Sequence, residues 1–260
     1  MFDAPFDIKR ARILLSNDDG IHAPGLKCLE RVARSLSKDV WVVAPETEQS
    51  GASHSLTLYR PLRIRKAGPR RFAVDGTPTD AVLLAINHIL ADHRPDLVLS
   101  GINRGGNLAE DVTYSGTVAA AMEATLLGVP AVAFSQLAEN EETARWSTAA
   151  AVIPKVLKGL SSLGWPADVF INVNIPDVTA RSVTGIRVTR QGKRKIGDEL
   201  VERLDPRGRT YFWIGEMWTE EQGKRGTDLA AIDANAVSVT PLYLSLTHDS
   251  TYRRLKSVFP

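Results

Sequence analysis

One cysteine, Cys28, is all that the sequence holds. An internal disulfide is therefore excluded, and a reducing compartment, the cytoplasm, is expected. Cys28 sits between Lys27 and Leu29 in a helical pattern and reads as a small apolar packing residue rather than a nucleophile. Long apolar runs are missing too. No 18 such residues follow one another, so no membrane span is expected. Met1 to Asp7 lack the basic and then apolar order of a secretory leader, and none is expected. Charge of one sign is also scarce. Lys plus Arg number 32 against 30 Asp plus Glu, a net +2, which gives no support to a stable nucleic-acid partner.

Several chemical signatures are absent as well. No Gly-x-Gly-x-x-Gly follows the first strand pattern, which argues against a dinucleotide oxidoreductase. No Gly-Lys-Ser/Thr marks a Walker A loop. The five histidines, His22, His54, His88, His93 and His248, form no zinc-type spacing. His22 and His54 fall near the polar clusters described below and read as orienting or solvent-facing groups.

What is present is an α/β pattern with ample core, since apolar residues make up 43% of the chain. Ala11 to Ser16 reads as a buried strand, Gly25 to Leu36 as an amphipathic helix and Val40 to Val43 as a second buried strand. This βαβ unit favours a parallel sheet with a right-handed crossover. Leu56 to Arg65 and Arg71 to Val74 read as short strands. Thr77 caps a helix that opens with Pro78 and runs to about Leu90. Further strands are expected at Leu97–Ser100, Pro130–Ser135 and Val169–Ile175, and helices at Val118–Leu127 and Thr143–Leu160. After Arg190 the texture changes. Gln191 to Arg209 shows no helical or strand period, Tyr211 to Ile214 reads as a strand, and Ala236 to Leu246 alternates. The expected division is a catalytic core, 1–190, and a C-terminal, hairpin-rich arm, 191–260, that completes the fold and exchanges between subunits of an oligomer. Tyr211 and Trp213 could stack on a base, although core packing is the commoner fate of such residues.

In open parallel sheets, ligands bind beyond the carboxyl ends of the strands, where crossovers diverge. Three polar clusters follow expected strands there. Asp18-Asp19 is the first: adjacent carboxylates repel, and a hard divalent cation relieves them, although Asn17-Asp18-Asp19-Gly20 is equally good turn chemistry. Glu46 to Ser53 is the second, where Ser50 beside Gly51 offers a neutral oxygen in what is otherwise an ordinary surface loop. In the third, Ser100 to Asn107, Asn103 offers a carbonyl oxygen, and Asn107 or Arg104 could reach a phosphate. Asp18, Asp19, Ser50 and Asn103 together make an all-oxygen set for a hard metal. A fourth stretch, Tyr114-Ser115-Gly116-Thr117, opens a helix, where free N–H groups and hydroxyls suit an anion. The small residues that follow it suit tight packing as well.

These stretches resemble the SurE (survival protein E) family. Ile13-Leu14-Leu15-Ser16-Asn17-Asp18-Asp19-Gly20-Ile21-His22-Ala23-Pro24-Gly25 is similar to its opening signature. The likeness continues through Val43-Ala44-Pro45, Ser50-Gly51-Ala52-Ser53, Gly76-Thr77-Pro78-Thr79-Asp80, Ser100-Gly101-Ile102-Asn103 and Tyr114 to Ala121. It ends with Gly226-Thr227-Asp228 and Val237 to Leu242. The resemblance implies a metal-dependent 5′- and 3′-nucleotidase, a phosphatase of nucleoside monophosphates, and some members also cleave short polyphosphate. It implies a Rossmann-like, mostly parallel sheet sandwiched by helices, in a homodimer or homotetramer. It implies one divalent ion per subunit, Mn²⁺ or Mg²⁺, held by Asp18, Asp19, Ser50 and Asn103. Asp18 and Asp19 would be catalytic, and Asn107, Ser115, Gly116 and Thr117 would contact phosphate. Ala230 stands where some members carry a His, so that group's acid role has no counterpart here. Haloacid-dehalogenase-type phosphatases place Asp-x-Asp after the first strand, whereas these carboxylates are adjacent. A non-catalytic nucleotide or metal sensor is the rival from another class.

Overall fold

The computed structural model describes residues 7–138, 143–194, 200–214 and 223–259. The chain opens with β1 (Arg12–Ser16), α1 (Pro24–Leu36) and β2 (Asp39–Pro45). A hairpin follows, β3 (Ile64–Gly68) and β4 (Arg71–Val74). Next comes α2 (Pro78–Leu84), continued by a wider helical turn at Ala85–Ile89. Thr77 starts α2 through a reciprocal box: its side chain accepts from Asp80 N–H, and the Asp80 carboxylate accepts from Thr77 N–H. Then come β5 (Leu97–Arg104), α3 (Gly116–Leu126), β6 (Ala131–Gln136), α4 (Trp146–Ser161) and β7 (Val169–Ile175). The remaining elements are β8 (Ile186–Val188), β9 (Leu200–Leu204), β10 (Thr210–Ile214), α5 (Asp228–Asp233), β11 (Val237–Tyr243) and α6 (Asp249–Lys256).

Nine strands form one sheet in the order β3-β4-β2-β1-β5-β6-β7-β11-β8, while β9 and β10 pair apart from it. All neighbours in the large sheet are parallel except β3 with β4 and β11 with β7. Helices cover both faces. Along β1, Ile13 and Leu15 join the core layer of α1 and α4, while Leu14 joins that of α2 and α3. The same alternation holds in β5, with Leu97 and Leu99 on one side and Val98 on the other. Each such buried Leu or Ile contributes about 1.5–3 kcal/mol, so the two layers are what hold the sheet between its helices. Cys28 is buried in the first layer, as a packing residue. Among the described residues no helix is long and apolar enough to cross a membrane.

β1, β2, β4 to β7, α1 to α4 and β11 lie within a few residues of where the sequence places them. β8 and α6, whose residues are exposed, have no counterpart in the sequence reading. Four further segments differ. Leu56 to Arg65 is not a strand before Ile64. Its Leu56, Leu58 and Tyr59 are exposed, and Pro61 brings no N–H for a ladder. Gln191 to Arg209, patternless in sequence, contains β9, whose residues have no buried side to impose a period. The polar stretch 226–235 holds α5, started by Thr227. Tyr211 and Trp213 are not in the core: they pack edge to face on the exposed hairpin, which has no layer behind it.

Candidate active site

At its carboxyl end β1 lies between β2 and β5, and the chain leaves β1 through α1 on one face and approaches β5 through α2 on the other. The crevice between the ends of β1 and β5 is therefore the topological switch point, where ligands bind in such sheets. Asp18 and Asp19 follow β1 at this crevice, and Asn103 and Arg104 are the last residues of β5.

Asp18 is almost fully buried. The Thr117 hydroxyl donates to its Oδ1, and the main chain at Gly116 packs against the same side chain. Gly116 is required by this approach, because a Cβ there would lie 2.6 Å from Asp18 Cβ and 2.9 Å from its Oδ2. Ser115 caps α3, its Oγ accepting from Val118 N–H at 3.1 Å. Burial raises the Asp18 carboxyl above its usual range, and the hydrogen bond from the Thr117 side chain only partly offsets it. Asp19 faces a small cavity of about 90 Å³ shared with Ala23, Pro24, Gly25, Glu48, Arg104 and Trp146. Burial first, then the charges of Asp18 and Glu48, push Asp19 up to about 7, against the pull of Arg104 and its N–H.

Two loops close the crevice. Gln49 N–H donates to Asp18 O at 2.8 Å, which sets Ser50 beside the pair. Ser50 itself is exposed and donates to Glu48 Oε1 at 2.8 Å. Ser53 ties the same loop to the entrance of α3, bonding Thr113 O and Tyr114 O. Asn103 Nδ2 donates to Gly105 O at 2.9 Å. The structure thus brings together Asp18, Asp19, the Ser50 loop, Asn103 and the start of α3. Asn107 stands apart from the carboxylates: it is buried, and its side chain donates to Ser135 Oγ at 2.7 Å. His22 is exposed, and His54 bonds Glu123 at 2.9 Å.

The donor set fits a hard divalent cation. Two buried carboxylates that repel each other, with hydroxyl and amide oxygens in the adjoining loops, suit Mg²⁺ or Mn²⁺ better than a soft metal. Among the described residues no three His, Cys, Asp or Glu side chains group as metal ligands, so an ion here would draw on neutral oxygens beside the two carboxylates.

A family model described as Survival protein SurE matches residues 13–198. The chain belongs to the SurE family. A curated relative from Paramagnetospirillum magneticum, named 5′-nucleotidase SurE, is 62% identical over 253 residues, 97% of each chain. Another of that name from Rhodospirillum rubrum is 55% identical over the whole of both chains. The crystal structure of the SurE protein from Aquifex aeolicus superposes with a TM-score of 0.82 at 43% identity, covering 95% of this chain and 99% of that one. The likeness to these SurE proteins extends over nearly the whole chain, in sequence and in architecture.

Two further asparagines, Asn172 and Asn174, were not singled out from the sequence. A signal was available: they sit at alternate positions in β7, which is otherwise apolar between Val169 and Ile175.

Proposed function

We propose that this SurE-family chain is a metal-dependent 5′-nucleotidase, a hydrolase that converts nucleoside 5′-monophosphates to nucleoside and phosphate. Nucleoside 3′-monophosphates and short polyphosphate are further substrates of the same site. The observation that carries this reading is the convergence of Asp18 and Asp19, raised by burial and mutual repulsion, with the N-terminus of α3 at the switch point. The relatives' name, 5′-nucleotidase, supplies the substrate class.

One ion per subunit, Mn²⁺ or Mg²⁺, would be held by Asp18, Asp19, Ser50 and Asn103. Bound there, it would supply Lewis-acid polarisation of a phosphoryl oxygen. The chain's own groups do the rest. The Thr117 hydroxyl holds the Asp18 carboxylate in place. Asp19, open to the cavity, is the carboxylate placed to take the proton of the attacking water. Main-chain N–H groups of Gly116 and Thr117, the Ser115 hydroxyl hydrogen and Asn107 face charge developing on the phosphoryl oxygens. Thr117 acts there through its N–H, because its hydroxyl hydrogen is engaged by Asp18.

The test is a screen of nucleoside mono-, di- and triphosphates against several divalent ions after chelation. Phosphate release from monophosphates that needs added Mn²⁺ or Mg²⁺ is expected. Nucleotide binding without release from any of them would favour the sensor instead.

The cytoplasm is the proposed compartment, supported by the single, buried thiol of Cys28. We also propose a homodimer or homotetramer, in which residues 1–190 form the catalytic core and 191–260 the arm. The β9–β10 hairpin supports this, since Leu200, Leu204, Phe212, Trp213 and Ile214 leave it apolar and exposed in the single chain. Exchange of that arm between subunits would cover it.

A further inference from the structure

We propose that Asn172 and Asn174 of β7 are positioning residues for turnover, acting through Asn107. Both asparagines are fully buried. On a strand that only needed to pack, Val or Leu would avoid the cost of burying two amides. Their hydrogen bonds converge on one peptide unit. Asn107 N–H donates to Asn174 Oδ1 at 2.8 Å, and Asn174 Nδ2 donates back to Asn107 O at 3.0 Å. Asn172 Nδ2 donates to the same carbonyl at 2.8 Å. The neighbouring strand β6 then holds the side chain, through Ser135 Oγ and Asn107 Nδ2 at 2.7 Å.

The Asn174 amide pairs with Asn107 N–H and C=O together, as a neighbouring strand would, and so fixes that residue's position and plane. Among the described residues Asn172 Oδ1 is buried without a hydrogen bond, a cost incurred where the clamp is built. Side chains of β7 fix the main chain of Asn107, and Ser135 of β6 fixes its side chain, so together they over-determine one residue of an otherwise irregular loop. A group that must meet a phosphoryl oxygen within a few tenths of an ångström needs such support. The inference rests on the reading that Asn107 contacts the transferred phosphoryl group.

The experiment compares wild type, Asn174→Asp and Asn172→Leu in Mn²⁺-dependent hydrolysis of AMP, each also in an Asn107→Ala background. Asn174→Asp keeps shape but removes the Nδ2 donor, and Asn172→Leu removes the other donor to Asn107 O while filling the same space, so one serves if the other fails to fold. In each, kcat is expected to fall by roughly 10- to 100-fold, the range for groups that orient catalytic residues. The Mn²⁺ concentration for half-maximal activity should stay unchanged, which a general loss of structure would not allow. In the Asn107→Ala background neither change should lower kcat much further. An unchanged kcat in both single variants, or a full additional fall without the Asn107 side chain, would overturn the proposal. A wild type that releases no phosphate would instead reject the nucleotidase reading, and this inference with it.

Discussion

The hydroxyl of Thr117, at the first turn of α3, donates its hydrogen to Oδ1 of Asp18, at the end of β1, 99 residues earlier in the chain. This contact joins the helix start that suits an anion to the carboxylate that suits a cation. Thr117→Val keeps the shape and removes the donor. It should raise the Mn²⁺ concentration needed for half-maximal activity by roughly 10- to 100-fold. Thr117→Ser should restore most of it. Titrating Mn²⁺ against phosphate release reads both.

Gly116 offers a sharper case. Alanine there would push into Cβ and Oδ2 of Asp18, yet Ala favours a helix over Gly by about 1 kcal/mol. Gly116→Ala should therefore lose activity at least a hundredfold while its melting temperature changes little. Thermal denaturation beside an activity assay separates the two effects. A fully active variant would show that Asp18 tolerates displacement.

Burial, with Asp18 and Glu48, lifts Asp19 from 3.8 to about 7. Across that window the folded chain keeps a proton that the unfolded chain has released, so without metal its stability falls as pH rises from 3.8 towards 7. Asn cannot ionise. In chelator, Asp19→Asn should melt above wild type on the alkaline side of the window and lose that advantage at its acidic end, even though it abolishes turnover. Melting curves of both proteins across pH check the sign. Added Mn²⁺ should stabilise wild type far more than the variant.

At Gly25, in the first turn of α1, a Cβ would collide with the carbonyl oxygen of Ile102 on β5. That oxygen is backbone and has little room to yield. Gly25→Ala should cost about 1–3 kcal/mol or more and lower the melting temperature by several degrees, which calorimetry measures directly.

Much of this molecule was legible in the sequence because burial on two faces writes itself as apolar runs. β1, β5 and β7 are read that way, and the polar clusters that follow β1 and β5 mark the switch point without further help. Where a strand buries almost nothing, the periodic signal goes: Leu200 to Leu204 of β9 has no period to find. β10, just as exposed, is still read as a strand because Tyr211, Phe212, Trp213 and Ile214 are β-favouring residue types. Leu56 to Arg65 fails the other way: its spaced leucines suggest a strand, but Leu56 and Leu58 face solvent. At the site, residue type indicated which groups could bind a metal or phosphate, but not how their hydrogens are used. That Thr117 serves Asp18, and that Asn107 is gripped by Asn172 and Asn174, depends on contacts 65 to 99 residues apart in sequence.

Asp228, wholly enclosed, accepts from the main-chain N–H of Ala109 at 2.9 Å and of Gly192 at 2.7 Å. The loop that follows Asn107 is thus fastened by a side chain 119 positions downstream. A ribosome-bound chain that has not yet emerged past that aspartate lacks the fastening, whatever sheet it has already formed. Competence should then arrive late in synthesis, only after Asp228 has left the ribosome and closed on the loop.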